Sequence, residues 1–264
     1  MLIQNITLHL CHNYQTRLIM ENVVLTNPPK TKAKDIILLH GLFGNLSNWQ
    51  LVKQKFEAIH NIYVPELPLY KKNSKEANLD HYVAFLTEYI TTNKITKPVL
   101  IGNSLGGHIA LLYALEYPNE VDKLVLTGSS GLYESTMDIS FPRINDFEFI
   151  SDKVREVFYN QEAISDALID DVYATIQDRE KALSVVRTAK AARSQNLKDT
   201  LYTITLPVLL IWGIQDIVTP ISVAEEFFFL LPNAHLHLIN HCGHAPMMEQ
   251  PEEFNKKLEE FLNT

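Results

Sequence analysis

Three residues in this 264-residue chain have types and settings suited to acyl transfer: Ser104 in G-N-S-L-G (102–106), Asp216 in W-G-I-Q-D (212–216) and His244 in H-C-G-H (241–244). A serine hydroxyl is a poor nucleophile near neutral pH. It needs a base to take its proton, and the base needs an acid to hold the right tautomer. Ser104 suits the nucleophile, His244 the base and Asp216 the orienting acid. The stretch around Ser104 fits G-x-S-x-G, in which a sharp strand-to-helix turn lifts the serine clear of a sheet. H-G-L-F-G (40–44) supplies a fourth element. Its backbone N–H at Leu42, with that of Leu105 at the helix start, would hold a developing oxyanion. The two leucine side chains have no part in that task.

These residues must be carried by strands and the turns that follow them. Runs of apolar residues predict strands at 35–40, 61–64, 98–102, 123–127, 207–212 and 235–239. Runs that are apolar throughout suit a parallel sheet covered on both faces. Helical stretches at about 46–58, 80–93, 105–117, 221–231 and 251–262 alternate with them, which predicts a mostly parallel, wound α/β sheet. The last helix has Pro251 where a first turn tolerates it, then Glu252 and Glu253 near the positive helix end. The first 30 residues are expected to add leading antiparallel strands.

From about 132 to 204 the rhythm breaks, and three helical stretches stand where no strand is predicted. The chain therefore divides into a core domain, residues 1–131 and 205–264, and an inserted helical cap, residues 132–204. All nine glycines lie at the C-terminal ends of predicted strands. That edge is where open α/β sheets bind ligands.

Composition narrows the function classes. The formal charge of −8 comes with no basic stripe, which argues against a nucleic-acid partner. Cys11 and Cys242 are too few and too distant for a disulfide framework, which suits a reducing compartment. The N-terminus lacks the pattern of a signal peptide, and no apolar run approaches a membrane span. A soluble, cytoplasmic protein with a small-molecule substrate is expected, and its oligomeric state is not legible. His40 reads as a loop-bonding residue and His108 as a core-packed helix residue. His235, His237, His241 and Cys242 invite a metal reading, but no carboxylate joins them, so no metal and no cofactor is expected.

Taken together, H-G-L-F-G-N, G-N-S-L-G-G, W-G-I-Q-D and C-G-H resemble the α/β-hydrolase superfamily over roughly residues 34–262. The resemblance implies that fold, the chain order serine–acid–histidine and a serine hydrolase. The G-N-S-x-G-G stretch and the cap stretch 157–176 look like the carbon–carbon hydrolases of meta-ring-fission products. Those enzymes have a tryptophan where this chain has Ala245, and a substrate-gripping cap arginine whose best match here is Val172. Cleavage of small carboxylic esters through an acyl-enzyme is therefore the expected activity. Carbon–carbon hydrolysis is the alternative chemistry, and a slow ligand-binding or regulatory protein of the same fold is the alternative class.

Overall fold

The apolar runs become β1 (Asp35–Leu39), β2 (Asn61–Tyr63), β3 (Val99–Asn103), β4 (Lys123–Thr127), β5 (Val208–Gly213) and β6 (Ala234–Ile239). The structure is a computed structural model describing residues 33–44, 46–70, 78–133 and 143–264. The leading strands expected in the first 30 residues lie outside the described residues. The six strands form one sheet in the order β2-β1-β3-β4-β5-β6, and each neighbouring pair is parallel. The strand order reverses between β1 and β3, a switch point of the kind beyond whose carboxyl ends open α/β sheets bind ligands.

Alternation along the strands builds two core layers. Ile37, Leu39, Leu100, Leu124, Leu126, Leu210 and Trp212 face one side. There they meet α2 (Leu79–Thr92), α3 (Leu105–Glu116) and α7 (Ile221–Leu230). Ile36, Leu38, Ile101, Val125 and Ile211 face the other side, against α1 (Gln50–Phe56) and α9 (Pro251–Leu262). The helix expected at 46–58 is divided: a 3-10 turn spans Leu46–Trp49 before α1 begins.

Between β4 and β5 the described residues hold α4 (Phe147–Glu156), α5 (Asp166–Gln177) and α6 (Arg179–Ser194). Each starts at a side-chain cap: Asp146 accepts from Phe149 N–H, Ser165 from Leu168 N–H, and Asp178 from Glu180 and Lys181 N–H. Ala192 of α6 joins the first core layer, whereas the apolar faces of α4 and α5, with Ile164 ahead of α5, form a separate cluster of Ile150, Ile164, Leu168, Ile169, Val172 and Ile176. Phe43 from the β1 loop and Met248 from beyond β6 pack against it. The helical insertion is thus seated on two loops at the carboxyl edge of the sheet.

Candidate active site

Ser104 stands between the last residue of β3 and the first of α3, at φ 54° and ψ −120°. A side chain is strained there, at about 1–3 kcal/mol. Hydrogen bonds hold the turn against that strain. Ser104 N–H donates to the Thr127 carbonyl at 3.1 Å, and the Ser104 carbonyl accepts from Gly107, His108 and Ser130 N–H. A Cβ on Gly106 would strike the Leu39 and His40 carbonyls, so only glycine lets α3 lie this close to β1. The β1 loop meets the turn at the same place, since a Cβ on Gly41 would lie 3.2 Å from Ser104 Cβ. Leu42 follows Gly41 directly. Leu105 opens α3, where no intrahelical carbonyl can take its N–H.

Asp216 and His244 come from the loops after β5 and β6 and form a buried pair, His244 Nδ1 to Asp216 Oδ2 at 2.9 Å. Asp216 Oδ1 accepts from Val218 and Thr219 N–H, and Oδ2 also accepts from Thr219 Oγ1. Trp212 Nε1 donates to the Thr219 carbonyl and braces the same loop from the core. A carboxylate so surrounded by donors takes Nδ1–H of the imidazole, which leaves the basic lone pair on Nε2.

Several residues that organise this site carry little sequence signal. The Asn103 side chain donates to the Thr127 and His244 carbonyls, 3.0 Å each. A polar residue closing an apolar strand was its only mark. Gly128 has φ +51°, and a Cβ there would lie 2.8 Å from His244 Nδ1. Tyr70 OH donates to the Leu42 carbonyl at 2.9 Å, and burial pushes its pKa up to about 12. Glu249 is buried and accepts backbone N–H bonds on both sides of His244. An acid in a short apolar stretch hinted at it, without naming its partners.

The other histidines have distinct places. Leu67 N–H donates to His40 Nε2, so His40 Nδ1–H donates to the Gly41 carbonyl and the ring holds its loop. His108 is fully buried, and burial drives its pKa down to about 4; a loose contact with the Gln195 backbone offsets this only in part. His237 pairs with Glu253 at 2.7 Å, and the His241 ring lies against Tyr159. Among the described residues no three His, Cys, Asp or Glu side chains group as metal ligands. No described helix is long and apolar enough to cross a membrane.

Residues 35–251 match the family model of the alpha/beta hydrolase fold. The chain belongs to that family. An alpha/beta hydrolase enzyme from the metagenome of sediments from the lagoon of Mar Chica, Morocco, is 37% identical, with a TM-score of 0.71 over 88% of this chain and 91% of that one. A 2-hydroxy-6-oxononadienedioate/2-hydroxy-6-oxononatrienedioate hydrolase of Burkholderia vietnamiensis is 26% identical over 258 residues, 89% of each chain. A pimeloyl-[acyl-carrier protein] methyl ester esterase of Vibrio campbellii is 26% identical over 257 residues, 87% of this chain and 95% of that one. The protein is accordingly a hydrolase enzyme, and its relatives include both a dienedioate hydrolase and a methyl ester esterase.

Proposed function

We propose that this hydrolase cleaves small, neutral carboxylic esters through an acyl-enzyme on Ser104. The observation that carries the reading is the buried His244–Asp216 bond, whose loop Asn103 ties to the residue before Ser104 on its strained turn. In the forward step Ser104 Oγ attacks the ester carbonyl as His244 Nε2 takes its proton. The oxyanion forms against the Leu42 and Leu105 N–H groups, each worth several kcal/mol at such a site, roughly 3–4. His244 then protonates the departing alcohol, and the acyl group remains on Ser104. Water, deprotonated by His244, attacks the acyl carbonyl and releases the acid, restoring Ser104. No cofactor enters these steps.

Preference for neutral substrates follows from where cationic and apolar residues lie. Val172 is buried in the apolar core of the helical insertion, and Ala245 is buried beside His244. Arg187 and Arg193 on α6 are exposed. Ile150, Ile164 and Leu168 are committed to the insertion's own core, whereas Phe147 and Tyr159 are exposed. In this reading the insertion acts as a cap, and it selects substrates by apolar contact.

Carbon–carbon hydrolysis is the second reading, supported by the Burkholderia relative. One panel separates them: neutral esters of graded acyl length, a matched ester bearing a free carboxylate, and a ring-fission dienoate. Higher kcat/KM for neutral esters supports ester hydrolysis, and each methylene accommodated should change specificity by about 1–3 kcal/mol. Higher values for the carboxylate-bearing compounds would replace it with carbon–carbon cleavage. Negligible turnover of every compound, with tight binding of one, would indicate a ligand-binding protein.

A further inference from the structure

Glu249 ends α8 (Pro246–Glu249), five residues after His244, and is only 3% exposed. Its carboxylate accepts four backbone N–H bonds. Oε2 takes Gly243 at 2.9 Å, Tyr159 at 2.8 Å and Asn160 at 3.0 Å, and Oε1 takes Ala245 at 3.0 Å. Two donors flank His244, and two belong to the helical insertion just beyond α4. A separate bond joins the same segments, since His244 N–H donates to the Val157 carbonyl at 3.1 Å. The segments also touch: a Cβ on Gly243 would lie 2.7 Å from the Val157 carbonyl oxygen and 2.8 Å from Tyr159 N. With Asn103 holding the His244 carbonyl, the main chain on either side of His244 is tied by side chains or by the insertion.

We propose that Glu249 is a positioning residue for the base: it fastens the His244 loop to the helical insertion, so that the imidazole is aimed only when the insertion is seated. The inference rests on the proposed roles of Ser104 and His244. Asp216 restrains the ring through Nδ1, but a bond to one ring atom leaves the ring's pivot, its own main chain, undetermined. The Asn103 and Val157 bonds hold that main chain at His244 itself, and Glu249 adds the restraint on the residues at either side of it. Neither carboxylate replaces the other, because one acts on the ring and the other on the backbone.

The test uses the full chain with Glu249→Gln and Glu249→Ala. Active sites are counted with a fluorophosphonate, and kcat and KM for a short neutral ester are expressed per labelled site. Amide hydrogen exchange is followed at residues 159, 160, 243 and 245. Per labelled site, Glu249→Ala should lose about 100-fold in kcat, the scale of a small misplacement of a reacting group, with KM little changed. Glu249→Gln keeps one carbonyl oxygen for the three donors at the Oε2 position and should lose about tenfold. All four amides should exchange faster together. Unchanged kcat per site in Glu249→Ala, even with a lower Tm, would reduce Glu249 to a structural residue and overturn the proposal. Should Glu249→Ala not fold, Glu249→Gln decides: kcat within about twofold of wild type is the overturning result. If wild-type Ser104 takes no label, the proposed function fails, and unchanged exchange at the four amides in Glu249→Gln would separately overturn the fastening.

Discussion

Asn103 and His244 are joined by a hydrogen bond of 3.0 Å from the Asn103 side chain to the His244 carbonyl, across 141 positions of sequence. The residue before the proposed nucleophile thereby holds the loop of the proposed base. Asn103 is buried, and its second bond, to Thr127, ties in the end of β4. Asn103→Ala takes the side-chain donor from the buried His244 carbonyl, at about 1–3 kcal/mol, while the Thr127 carbonyl keeps the Ser104 N–H. Urea unfolding should show that loss of stability, with a fall in kcat alongside. Wild-type stability would mean that water replaces the amide without cost.

Ser104→Ala should abolish both ester hydrolysis and labelling by a fluorophosphonate. Ser104→Gly should also be inactive, yet more stable than Ser104→Ala by about 1 kcal/mol, because glycine adopts φ 54° without strain. Comparing thermal unfolding of the two inactive variants checks this. Equal stability would show that the turn is not strained, and persistent labelling would remove Ser104 as nucleophile.

Asp216→Asn should lower kcat by about 10⁴, because an amide can present its NH2 to Nδ1 and shift the proton to Nε2. Oδ1 and Oδ2 together accept four bonds, so stability should fall as well. Steady-state rates per active site measure the effect. A loss below about threefold would assign the orienting role to another carboxylate.

Acid should destabilise the fold through His108. Its pKa is about 4 in the folded chain against an ordinary value of 6.5. The unfolded chain therefore binds the proton first as pH falls. This contribution is absent above about pH 7 and grows between 6.5 and 4, reaching roughly 3 kcal/mol of lost stability. His108→Leu should flatten the stability profile in that window, as read by urea unfolding at several pH values. Parallel profiles for the two proteins would show that His108 is not the group responsible.

The six strands, the alternating helices and the helices of the insertion were legible in the sequence; the four inner strands are buried on both sheet faces and so need unbroken apolar runs, whereas the edge strands β2 and β6 are partly exposed. Ser104, Asp216 and His244 stood out as candidates because acyl transfer needs particular residue types in turns after strands, and those turns carry glycine. The parts played by Asn103, Tyr70 and Glu249 did not stand out. Each acts by meeting groups brought from distant parts of the chain: Asn103 meets His244, Tyr70 meets Leu42, and Glu249 meets Tyr159 and Asn160. A hydrogen bond depends on distance and angle, and sequence spacing sets neither once the chain has turned through several loops. Local pattern thus determined which residues could perform the chemistry, and tertiary packing decided which side chains hold them in place.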